Sequence, residues 1–86
     1  MIEKAIRDNV LSVIQFWQRK CYGTDVNMKI SVRYDEIGEE YFITVVITKG
    51  EDYFKEWYIT ENEDYDPYKT VEEIGNELAK LNIKLN

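Results

Sequence analysis

From residue 26 to residue 34 every second side chain is apolar: Val26, Met28, Ile30, Val32 and Tyr34 alternate with Asn27, Lys29, Ser31 and Arg33. Successive side chains of an extended chain point to opposite faces, so a period of two dictates a strand with one face toward a core and one toward water. Such a strand needs neighbours, and the sequence supplies them at once. Asp35-Glu36-Ile37-Gly38 is turn chemistry, and residues 41–48, rich in Ile, Val and Thr, read as a second strand. Lys49-Gly50-Glu51-Asp52 makes the next turn, and residues 53–60 read as a third strand. Connections this short leave no room for a crossover, so the three strands form an antiparallel meander.

Helices flank the meander. Ile2, Ile6, Val10, Val13, Ile14, Trp17 and Cys21 recur at spacings of three and four, which places them on one stripe of a helix over residues 2–22. Leu11 and Phe16 widen its apolar surface, so this helix is expected to touch two elements, and Gly23 ends it. At the other end, Thr70 and Glu73 have the spacing of a capping box, ahead of an apolar stripe of Val71, Ile74, Leu78 and Leu81. Gly75 inside that second helix weakens it by about 1 kcal/mol relative to Ala.

The expected fold is therefore α+β: a two-layer sandwich in α-β-β-β-α order, with both helices on one face of the sheet. If Val26, Met28, Ile30 and Val32 point into the layer, Ile43, Val45 and Ile47 join them from the second strand and Trp57 and Ile59 from the third. Trp17 is expected to be largely buried against this sheet. The opposite face then carries Phe42, Thr44, Val46 and Thr48 beside Phe54, Glu56 and Tyr58, more apolar than an uncovered face normally is. Either it is an interaction surface, or tails and loops lie across it, or the third strand has the opposite parity.

Eighty-six residues make one domain, and 44% apolar with 14% aromatic content is a folding composition despite 33% charge. The charge is segregated. Between Asp35 and Glu77 fourteen acidic side chains face three lysines, Lys49, Lys55 and Lys69, while the rest of the chain is net basic and the whole carries −6. Such a field repels nucleic acid and anionic membrane and attracts basic surfaces. No apolar stretch approaches the ~20 residues of a membrane span. Glu3, Lys4, Arg7 and Asp8 interrupt any signal-peptide core, and a lone Cys21 allows no internal disulfide, so the expected compartment is the cytosol.

Little catalytic chemistry is available. The chain has no histidine, which removes the usual base near neutral pH and the commonest metal ligand. Cys21 lies on the apolar side of a helix C-terminus, where it packs rather than reacts. Its four glycines stand singly, so none forms a phosphate-cradling loop. Glu61, Glu63, Asp64 and Asp66 offer oxygens, but Pro67 stands where a calcium loop needs its glycine pattern. No enzyme activity, cofactor or dedicated metal site is expected.

The α-β-β-β-α order resembles that of the double-stranded RNA-binding domain. That family grips phosphates with a basic cluster at the start of its last helix; here the matching stretch is Lys69, Thr70, Val71, Glu72 and Glu73, net negative, so direct nucleic-acid binding is not expected. In size and character the chain looks like the small anti-defence proteins of phages, such as anti-CRISPR and anti-restriction inhibitors, which would put it in a host cytosol. The likeness is one of type, so no functional residue is carried over. The clustered carboxylates themselves suggest a nucleic-acid mimic, a protein whose carboxylates occupy a basic groove on a partner protein. The residues for that role are Glu51, Asp52, Glu61, Glu63, Asp64, Asp66, Glu72 and Glu73 as one acidic rim, with Tyr65 and Tyr68 entering pockets built for bases. The alternative is an adaptor, an immunity-type protein or a homodimer that uses the sheet face at Phe42, Val46, Phe54 and Tyr58.

Overall fold

The computed structural model describes residues 4–60 and 66–85, with side chains from Asp8 onward. Its elements follow in the expected order: α1 (Lys4–Lys20), β1 (Val26–Asp35), β2 (Glu40–Lys49), β3 (Tyr53–Ile59) and α2 (Pro67–Lys80). The sheet order is β1-β2-β3 and both pairings are antiparallel. Met28 lies opposite Ile47, Ile30 opposite Val45 and Val32 opposite Ile43, while β3 sets Trp57 against Val45 and Ile59 against Ile43. Residues directly opposite share a face, so the parity read from the alternation holds in all three strands.

That face is the core. Val26, Met28, Ile43, Val45, Ile47 and Ile59 meet Val10 and Ile14 of α1 and Ile74 and Leu78 of α2 in one buried cluster, which puts both helices on the same side. The side-chain amide of Gln18 ties α1 to the β1 edge by donating to the Met28 carbonyl at 2.9 Å. Cys21 packs in the core just past α1, where burial pushes its thiol up.

Four details depart from expectation. Trp17 is only half-buried, because its ring lies against α2 rather than under the helix layer: a Cβ built on Gly75 would stand 2.9 Å from the ring's Cη2. Gly75 is the notch that admits it. Val13 and Phe16 are exposed, the Phe16 ring lying 4.9 Å beneath the Lys20 ammonium, so of the two widening residues only Leu11 joins the core. Val32 and Tyr34 share the core face yet are about half exposed, since they lie at the far end of the hairpin, where the β3 pairing has stopped at Ile43.

The fourth departure is the cap of α2. Asp66, not Thr70, is its N-cap: the Asp66 carboxylate accepts from the Tyr68 and Lys69 backbone amides, at 3.0 and 3.4 Å. Pro67, whose fixed φ suits the first helical position and which has no amide to satisfy, moves the start forward and leaves Thr70 buried inside the helix. At the other end, the Ile83 amide donates to the Leu78 carbonyl and the Asn82 amide to Ala79, with Asn82 at φ +65°. This is a Schellman closure, and it folds Ile83 back into the core instead of continuing the helix.

Candidate functional site

The acidic residues fall into separate groups. Glu51 and Asp52 sit exposed in the turn before β3. Asp66 and Tyr68 sit beyond the other end of β3, at the start of α2. Seven residues of strand separate them, about 20 Å. Among the described residues, the acids expected to form one rim therefore stand in two groups at opposite ends of β3. Glu61, Glu63, Asp64 and Tyr65 lie outside the described residues. Asp66 is engaged in capping, whereas Glu72 and Glu73 stand exposed on the second turn of α2, and Tyr68 is exposed on its first.

Between α2 and β3 runs an open groove. One hollow of about 390 Å³ is bounded by Lys55, Glu77, Lys80 and Asn76, and a neighbouring one of about 610 Å³ by Tyr58, Asp66, Lys69 and Thr70; Glu56, Trp57 and Glu73 line both. Trp57 points to the helix side of the sheet and Glu56 and Tyr58 to the other. What these consecutive residues share is the free edge of β3, so the groove follows that edge. Trp57 forms a half-buried floor with the Glu73 carboxylate on its helix side, Glu56 borders the groove only from the far face of the sheet, and Lys55, Lys69 and Lys80 stand on the same walls.

Glu77, which sequence reasoning did not single out, closes one end of this groove. Its carboxylate accepts from the Lys55 ammonium at 2.8 Å, from the Tyr53 hydroxyl at 2.8 Å and from Lys80 at 3.4 Å. The Lys55 bond, then the Tyr53 bond, pull the Glu77 carboxyl down to about 2. Burial, then the Glu77 bond and charge, push Tyr53 up to about 12. The stability contributed by Glu77 is thus complete above about 4.5, its ordinary value, and is lost as pH falls toward 2. That contributed by Tyr53 is complete below 10 and is lost as pH rises through 12. Glu77→Gln should flatten the acid limb of a melting-temperature profile between pH 4.5 and 2; an unchanged limb would show that other carboxylates set it.

The second candidate surface is the uncovered side of the sheet. Phe54 and Tyr58 are well exposed there, and Phe42 and Val46 half-buried between the strands. The Tyr58 hydroxyl donates to Glu56 at 2.6 Å, and this bond, with the Glu56 charge, raises the tyrosine's pKa. No helix among the described residues is long and apolar enough to cross a membrane. Compared with protein families, curated proteins and solved structures, the chain matches none.

Proposed function

We propose that the protein is a non-enzymatic binding module that inhibits a partner by presenting its acidic β3–α2 side to a basic, nucleic-acid-binding surface. One observation supports this most: Glu72 and Glu73 make no ion pair or side-chain hydrogen bond among the described residues, and Glu73 stands beside the Trp57 floor. Carboxylates left without internal partners keep their full field for an incoming cation. Adjacent on the exposed surface of α2, they offer closely spaced anions to a groove built for phosphates.

Immobilised protein should capture a nucleic-acid-binding protein from a host lysate at low salt, release it at high salt, and lose it to competing duplex DNA or RNA. Reversing Glu72 and Glu73 to Lys should abolish capture without unfolding the domain, as both are exposed and Glu73→Lys gains Glu77 as an i,i+4 neighbour. Phe54→Asp, on the other side of the sheet, is the matched control and should bind normally. If the double reversal binds normally while Phe54→Asp does not, the acids only solubilise and the reading fails.

A further inference from the structure

The free sheet face carries a pattern that shares only Glu56 with the groove between α2 and β3. Its central row runs Lys29 on β1, Val46 on β2 and Glu56 on β3, all in register. Lys29 is exposed and makes no ion pair among the described residues. Glu56 is held over this face by the Tyr58 hydroxyl. A positive edge, an apolar centre and a negative edge make a face that complements itself.

We propose that two copies stack through this face about a two-fold axis running along β2. That operation lays β1 of one copy over β3 of the other and keeps position along the strands. Lys29 of each copy then meets Glu56 of the other, twice, with Val46 against Val46 on the axis. Packed sheets lie about 10 Å apart, a gap that a lysine and a glutamate reaching from opposite sides span together. The row above sets Ser31 against Tyr58, and the row below sets Asn27 against Phe54. A two-fold axis across the strands would instead put Lys29 on Lys29 and Glu56 on Glu56, so charge selects the first arrangement. The remaining charges on this face, Arg33, Asp35 and Glu40, lie at or beyond the row where β3 ends and stay outside the central contact.

Three strands by seven residues give a footprint of about 15 by 23 Å, about 700 Å² over both copies and below the ~1,200 Å² of a stable specific interface, so the dimer is weak and depends on its charge pairs. Sedimentation from about 20 µM to about 1 mM should show the mass rising toward a dimer. Lys29→Glu alone and Glu56→Lys alone should each weaken association about tenfold or more, since each turns two attractions into repulsions. An equimolar mixture of the two variants should dimerise again, because each then supplies the charge that the other's surface lacks. Lys29→Gln and Glu56→Gln give the same reading, with smaller losses, should a reversal disturb folding. Wild-type protein that stays monomeric throughout, single variants that dimerise normally, or a mixture that stays monomeric would each overturn the proposal. None of these results bears on Glu72 and Glu73, so the partner reading is tested separately.

Discussion

Replacing Gly75 with alanine should destabilise the fold, although the same change in an open helix stabilises it. Alanine gains about 1 kcal/mol of helix propensity over glycine. Against that stands the Trp17 ring, whose atoms would lie 2.9, 3.4 and 3.5 Å from the new Cβ. The nearest of these is a distance that carbon atoms do not occupy, and the indole is rigid, so relief requires tilting the whole ring or parting the two helices. Overpacking of this kind costs about 1–3 kcal/mol. The steric term therefore wins, by about 1 kcal/mol net, or about 5 °C in melting temperature for a domain of this size. Gly75→Leu, which cannot be accommodated by a small tilt, should lose about 3 kcal/mol, a large part of what a small domain has.

The cause is separable from the symptom by a double-mutant cycle. In a Trp17→Leu background the notch faces a smaller, flexible side chain, and Gly75→Ala should then be neutral or stabilising. The change of sign is the result to look for. If Gly75→Ala raises the melting temperature of the otherwise unaltered protein, Trp17 does not hold the two helices at this distance.

The same pair shows where sequence patterns stop being informative. A glycine in a helix reads as a defect when only its own element is considered, because its function lies with a ring that comes from a helix some sixty residues away in the chain. Period two in β1 and the apolar spacing in α1 and α2 are local, and from them the order, the antiparallel meander and the common core face could be read. The cap of α2 was a competition between two local signals. Thr70 with Glu73 had the spacing of a capping box, yet Asp66-Pro67 begins the helix earlier, and the propensity of proline for the first turn decided it. Glu77 was invisible for a different reason: its partners Tyr53 and Lys55 are on β3, and nothing local in α2 marks the side that will face that strand. The acids of the rim were legible as charges, but their spacing was not, because the extended β3 sets Glu51 and Asp66 at its two ends.

Alternation also says which face a residue takes without saying how far the covering layer reaches, and this gives the second large effect. Ile47→Ala should cost about 2–5 kcal/mol and lower the melting temperature by more than about 10 °C. Ile47 is fully buried in the central strand, between Met28 on one side and the aliphatic stem of Lys55 on the other, and the helices above it leave no freedom to collapse into the space. Val32→Ala, on the same face and equally apolar in the pattern, should cost about 0.5 kcal/mol or less. Val32 is 46% exposed, its neighbour Ile43 marks the last row that β3 covers, and the methyl groups removed are already partly in water. The contrast matters more than either value, since both substitutions remove β-branched carbons from the same stripe. Equal losses at the two positions would mean that the hairpin end is covered in solution by something that shields Val32 as fully as the helices shield Ile47.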